Sequence, residues 1–277
     1  MDNIAIFLVE GEKLDMLLAE EIERQFFDND REIKILPYKT NIYSLYSQLK
    51  EDDFETDIIS ILIEKNPNDD VLNSIENRDN VSQIFLFFDY DGHNFQQEEN
   101  CKEKTSDILS EMVKFFDNET ENGKLYLSYP MIEAIQHCSK TDMQELTYKA
   151  NYINAFTKRH IAKKTYKHIS CTNSKFILPQ KKTYSESEWN FIISNFLWGL
   201  SHMRKLVDYL DYSDYIENNT TQKIYEMQYD LNIATNDKIL VLSGYPQFIL
   251  DYFGLSLYDK IVKNQKFFTK TVITDFQ

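Results

Sequence analysis

Glycine and proline are scarce in this chain, at 6 and 5 of 277 residues, which leaves little room for low-complexity linkers. Cysteine is scarcer still. Cys101, Cys138 and Cys171 are odd in number and widely spaced, so they offer neither a disulfide framework nor a CxxC zinc signature. No stretch approaches the roughly 18 apolar residues that a membrane-spanning helix needs. The opening Met1-Asp2-Asn3 also lacks the basic start and small-residue cleavage site of a signal peptide. A cytoplasmic, thiol-reduced protein without a membrane segment is expected.

Cations are in deficit too. The formal charge of −15 argues against a nucleic-acid partner, because affinity for phosphate backbones comes mainly from neutralising them with Lys and Arg. The deficit is uneven, however. Between Lys149 and Lys182 there is no Asp or Glu, but there are nine cations: Lys149, Lys158, Arg159, Lys163, Lys164, Lys167, Lys175, Lys181 and Lys182. Taking those nine from 30 leaves 21 cations against 45 anions, so the rest of the chain stands at −24. One basic segment, 149–182, sits in an acidic protein.

A hydrophobic content of 42%, with 14% aromatic residues, is that of a folded globular chain. Its length suits one large domain or two modest ones, and two are expected, 1–145 and 146–277. Ile4 to Val9 reads as a strand buried on both faces, closed by Glu10-Gly11. Leu14, Leu17, Leu18, Ile22 and Phe26 then recur at helical spacing. Ile33 to Tyr38 is a second strand, and Ile42 to Lys50 a helix opened by Asn41 as N-cap. Asp57 to Lys65 could be a buried strand or a helix stopped at Asn66-Pro67, and helix is preferred.

Val81 to Phe88 is the strongest strand and belongs at the centre of a sheet. A helix through Ile108, Leu109, Met112, Val113 and Phe116 follows, which Asn122-Gly123 should end before a strand over Lys124 to Leu127. Strands alternating with helices imply an α/β fold with a parallel sheet. From about residue 145 the pattern becomes helical, as in Trp189, Ile192, Ile193, Phe196, Leu197 and Leu200.

Open parallel sheets bind ligands beyond the carboxyl ends of their strands. Glu10, the pair Asp89 and Asp91, and the segment Ser128 to Glu133 all fall at such ends. Alternation along an extended chain would put Asp89 and Asp91 on one side, able to share a hard cation, with Tyr90 pointing away. Gly11 and Gly92 directly follow these acids, which suggests turns where backbone comes close to a ligand. His93, after that turn, could contact a phosphate or leaving group, and a solvent-exposed turn histidine is the preferred reading. His137 and Cys138 are adjacent on a helix and point in different directions, so they do not make a metal site.

Phe7-Leu8-Val9-Glu10-Gly11-Glu12, followed about 80 residues later by Phe87-Phe88-Asp89-Tyr90-Asp91, resembles the TOPRIM pattern of topoisomerases, bacterial primases and OLD-family nucleases. The likeness covers roughly the first half of the chain. Ser128-Tyr129-Pro130-Met131-Ile132-Glu133 resembles the Ser-Asn-Pro-x-x-Glu segment of RloB-like TOPRIM proteins, with Tyr129 in place of the usual Asn. The resemblance implies an N-terminal TOPRIM-like parallel sheet flanked by helices, ahead of a mostly helical C-terminal domain. It also implies a Mg²⁺- or Mn²⁺-dependent nuclease with Glu10, Asp89, Asp91 and Glu133 as catalytic residues. Glu10 would be the general acid or base, and Glu10, Asp89 and Asp91 would form the metal site. RloB-like and AriB-like relatives accompany ATPases in phage defence, and some are implicated in cutting tRNA. A partner ATPase and an antiviral role are thus implied. Glu12 is the weaker alternative to Glu10, better placed to stabilise a helix N-terminus.

In the basic segment, helical geometry would gather Lys158, Arg159, Lys163, Lys164 and Lys167 on one side. Tyr148, Tyr152, Phe156, Tyr166, Phe176 and Tyr184 are interleaved, which suits looped or single-stranded nucleic acid, with RNA favoured over DNA. The rings could equally be core, and the cations could dock on an acidic face of this protein or of a partner. A homo-oligomer or the ATPase could supply further cations.

Two other functions fit parts of the pattern. Phe85 to Gly92 also resembles the Asp-x-Asp-Gly strand of haloacid-dehalogenase-like phosphatases, although the motif lies far into the chain and no later acidic pair follows an apolar strand. A TOPRIM-shaped module that binds a sensor ATPase without cutting is the third reading, and the acidic surface suits it.

Overall fold

The computed structural model describes residues 4–27, 31–73, 75, 78–95, 101–137, 147–172, 183–206, 211–264 and 269–270. The chain is α/β, with a five-stranded, mostly parallel sheet flanked by helices and a helical C-terminal part. It divides into two compact units, Met1–Phe88 with Glu111–Leu125, and Asp89–Ser110 with Tyr126–Gln277. Among the described residues no helix is long and apolar enough to cross a membrane.

The first part of the chain runs through β1 (Ile4–Val9), α1 (Leu14–Phe26), β2 (Glu32–Pro37), α2 (Ile42–Glu51), α3 (Ile58–Lys65), α4 (Asp70–Asn73) and β3 (Val81–Asp89). It continues through α5 (Cys101–Phe115), β4 (Asp117–Asn118) and β5 (Gly123–Ser128). The strands hydrogen-bond in the order β2-β1-β3-β5-β4, and β1 is parallel to both β2 and β3. All six residues of β1 are buried, as the unbroken apolar run requires. Phe7 packs edge-on against Phe85 and Phe87 of β3, with ring centroids 5.8 and 5.6 Å away. Each such ring removed from water contributes roughly 1.5–3 kcal/mol.

Caps decide what periodicity leaves open. The Asp57 carboxylate accepts the Ile59 and Ser60 N–H groups at 2.9 and 3.1 Å, so the ambiguous stretch after it is helical. Asn41 caps α2 in the same way through Ser44 N–H at 3.0 Å. On α1 the buried face is Leu18, Ala19, Glu21 and Ile22, while Leu17 lies outside it.

Gly123 does not end a helix. β4 turns back antiparallel onto β5, so the sheet has an antiparallel edge, and Gly123 opens β5 with φ of 114°. A Cβ there would stand 2.6 Å from the Leu86 Cδ1 methyl.

The second unit continues with β6 (Thr147–Tyr148), β7 (Tyr152–Asn154), β8 (Arg159–Ile161), β9 (Lys164–Thr165) and α6 (Tyr166–Thr172). Next come α7 (Glu186–Met203), α8 (Tyr212–Asn218), α9 (Thr221–Gln228), β10 (Lys238–Leu240), α10 (Gly244–Asn264) and β11 (Thr269–Lys270). A capping box of Ser185 and Glu188 opens α7, which buries Trp189, Ile192, Ile193, Phe196, Leu197 and Leu200 and packs on α10. β7 pairs antiparallel with β10. Leu240 of β10 also receives a substitute strand partner: the buried Gln228 amide donates to the Leu240 carbonyl at 2.7 Å and accepts its N–H at 3.0 Å.

Two substitutions test these constraints. Gly123→Ala combines a left-handed backbone with a steric clash and should lower unfolding free energy by about 3 kcal/mol in urea titration. Gln228→Leu leaves two buried backbone groups without partners and should cost about 2–3 kcal/mol. An unshifted denaturation midpoint would contradict either assignment.

Candidate functional site

In the first unit, Glu10 follows β1 and its backbone is held from both sides. Its N–H donates to the Phe87 carbonyl at 3.1 Å, and its carbonyl accepts the Lys39 N–H at 2.9 Å. Gly11 leaves room for protein rather than for a ligand, because a Cβ there would meet the Asp15 carboxylate at 2.6 Å. Glu12 pairs with Lys39 at 3.4 Å on the surface, a contact worth about 0–1 kcal/mol.

In the second unit, Asp89 is the last residue of β3, but strand-like bonding runs two residues further. Tyr90 N–H donates to the Ser128 carbonyl at 2.9 Å, and Asp91 N–H to the Pro130 carbonyl at 3.1 Å. Asp91 then turns left-handed, with φ of 43°, a conformation that Asp tolerates better than most residues. The alternation expected from Asp89 to Asp91 therefore breaks at Asp91. Tyr90 is buried, 5.8 Å from the Tyr129 ring. Gly92 begins a 3₁₀ turn to Phe95. A Cβ on Gly92 would clash with the Ala155 carbonyl and lie 2.5 Å from the Tyr90 ring, so this glycine too accommodates protein backbone.

His93 differs from its expected exposure. Its side chain is only 11% exposed, with Nδ1 3.5 Å from Asp91 Oδ1 and Nε2 buried without a hydrogen-bond partner among the described residues. Burial, and then the nearby Lys158 charge, push its pKa down to about 4. The imidazole is neutral near pH 7. Burial also holds the Tyr129 phenol well above its ordinary range, so it too is neutral.

Glu133 lies in a 3₁₀ turn over Ile132–Gln136, its carboxylate almost wholly buried, and Oε1 meets Lys167 Nζ at 3.2 Å. The same turn contacts α6 again where Gln136 Nε2 donates to Cys171 Sγ at 3.2 Å. His137 Nδ1 is 2.9 Å from the Tyr166 hydroxyl. Cys138 lies outside the described residues. Asp89, Asp91 and Glu133 offer hard oxygen donors, which suit Mg²⁺ or Mn²⁺. Among the described residues, no three His, Cys, Asp or Glu side chains are gathered into a metal-holding group.

The basic segment departs from the expected helix. Lys158 precedes β8, which pairs antiparallel with β9. Ala162 and Lys163 link the two strands with positive φ at both positions, 48° and 63°, as a type I′ turn requires. Lys158, Arg159, Lys163, Lys164 and Lys167 are all exposed. The aromatic residues are not: Tyr148, Phe156, Tyr166 and Tyr184 are core, and Tyr152 bonds His202 Nε2 at 3.0 Å. Phe176, Lys175, Lys181 and Lys182 lie outside the described residues. Of the two readings of the rings, core is the one observed for these four.

Sequence reasoning missed two members of this constellation. Lys167 as the partner of Glu133 carried no local signal, since the two are 34 residues apart. The burial of His93 depends on the surroundings of the Asp91 turn, where the Ala155 backbone crowds Gly92. Comparison with protein-family models, curated proteins and solved structures found no match to this chain.

The neutral histidine has a testable consequence. The unfolded chain takes up the His93 proton near pH 6.5, whereas the folded protein resists it until about 4. The stabilisation is present above the unfolded value and is lost as pH falls through that window. His93→Gln should flatten the pH dependence of stability across it, and NMR should show the wild-type ring neutral at pH 6. A ring titrating near 6.5 would contradict the burial.

Proposed function

We propose that this protein is a metal-dependent phosphodiesterase acting on nucleic acid, RNA favoured, with Asp89, Asp91 and Glu133 as its acidic centre. The observation that supports this reading most directly is the pair of backbone bonds from Tyr90 to Ser128 and from Asp91 to Pro130. They bring the Asp89–Asp91 turn and the segment leading to Glu133 to one sheet end, where open α/β folds bind ligands. Exposed cations on the adjoining β8–β9 segment supply what a polyanionic substrate requires.

In this reading Asp89 and Asp91 hold Mg²⁺ or Mn²⁺, which when bound neutralises charge at the reacting phosphate and orients the attacking oxygen. Glu133, paired with Lys167, would flank that centre. Glu10 enters through the TOPRIM resemblance alone, as the carboxylate that accepts the proton of the attacking water. The same resemblance carries the proposed antiviral role alongside a partner ATPase.

Cleavage of single-stranded RNA by the purified protein should require Mg²⁺ or Mn²⁺ and stop with EDTA. Asp89→Asn and Asp91→Asn should each lower kcat by roughly 100-fold or more, and Glu10→Gln tests the acid–base assignment separately. Wild-type rates in both aspartate variants would remove the basis of the proposal. Hydrolysis of phosphomonoesters that survives Glu10→Gln would point to phosphatase chemistry instead.

A further inference from the structure

The β8–β9 hairpin is fastened to the acidic centre at both ends. On the entering side, the Ala155 carbonyl packs against Gly92 in the Asp91–His93 turn. On the leaving side, Lys167, at the start of α6, reaches Glu133 at 3.2 Å. From Lys158 to Thr165 every described side chain is exposed: Lys158, Arg159, Ala162, Lys163, Lys164 and Thr165. Lys163 and Lys164, at the far end, have no carboxylate partner among the described residues.

A cation with no internal partner that is held away from the body by a tight turn has no role in the fold. Strands of two or three residues carry such a tip roughly 10 Å from its base at about 3.3 Å per residue. The tip offers charge without stacking, because Phe156 and Tyr166 on either side are buried. Charge without stacking or base-edge readout recognises backbone phosphates irrespective of sequence.

We propose that the β8–β9 hairpin is a phosphate-gripping arm of the acidic centre, whose tip residues Lys163 and Lys164 hold a single nucleic-acid strand beyond the reacting phosphate. The arm rests on the function proposed above but is tested by binding, which needs no turnover. Its base, with Ala155 against Gly92 and Lys167 on Glu133, keeps it aligned with the carboxylates. A strand too short to extend past the centre gains nothing from the tip.

The test is fluorescence anisotropy with a single-stranded RNA of about 12 nucleotides, within the usual site size of such grooves, across a series of roughly 50 to 200 mM salt. Lys163→Glu, Lys164→Glu and Lys163→Gly are compared with wild type. Lys163→Gly suits the positive φ, so it removes the charge while keeping the turn. Lys205→Glu, an equal charge change at an exposed position outside the segment, is the control and should keep the wild-type salt slope.

Each tip variant should weaken binding several-fold and reduce the slope of log K against log salt by roughly 0.7, one phosphate contact on a single strand. The loss should be smaller for a dinucleotide than for the long strand. Unchanged affinity and slope in all three variants would overturn the arm, as would equal losses on both lengths, or no RNA binding by wild type. Binding that follows these expectations without cleavage would leave the arm standing and count against the catalytic reading alone. Tight binding of an acidic peptide but not of RNA would make the hairpin a protein-docking element and refute the arm.

Discussion

The arrangement of the second unit depends on how the end of β5 is pinned. Tyr129 exchanges both backbone bonds with Leu242, at 2.7 and 3.1 Å, while the flanking carbonyls of Ser128 and Pro130 receive the N–H groups of Tyr90 and Asp91. Gly244 passes so close that a Cβ would lie 3.0 Å from the Leu127 N and O atoms. The strand end is thus bonded on both edges and covered by backbone on one face. A left-handed residue costs about 1–2 kcal/mol in isolation. At Asp91 the surrounding bonds over-determine it, which is how functional turns hold such conformations.

Electrostatics follow from that geometry. A carboxylate as deeply buried as Glu133 needs a counter-charge or a proton, and Lys167 supplies the first. Lys158 acts on the other side, where its charge adds to burial in keeping His93 neutral. In a chain whose remainder carries −24, the one basic segment thus supplies the counter-charge of a buried carboxylate.

The sequence disclosed what is set by burial and local capping, and concealed what is set by contact at long range. β1 and β3 were legible because a strand covered on both faces is apolar throughout, and α2 because Asn41 is a good cap. α3 was half legible: its apolar run fits strand or helix, and the Asp57 carboxylate decides it. β4 was hidden, since a two-residue strand has no periodicity. The β8–β9 hairpin was hidden for another reason. Its turn is built from Ala162 and Lys163 rather than from Asn-Gly, so positively charged residues at helical spacing imitated a helix. The position of Asp89 at a strand end was readable, but the turn that carries Glu133, the burial of His93 and the purpose of Gly11 and Gly92 were not. Gly92 yields space to the Ala155 backbone, far along the chain, which no local pattern encodes, while Gly11 yields it to the Asp15 carboxylate one helical turn ahead.

The fate of the aromatic residues constrains recognition more than the charge does. Rings interleaved with cations suggest base stacking, yet Tyr148, Phe156, Tyr166 and Tyr184 are spent on the core. Among the described residues, Lys158, Arg159, Lys163, Lys164 and Lys167 remain on the surface of the segment. Such a surface distinguishes a phosphate chain from a neutral polymer and has no means of telling one base from another. In the proposed reading, discrimination among nucleic acids falls to the shape that a strand adopts between the tip of the hairpin and the carboxylates rather than to the four buried rings.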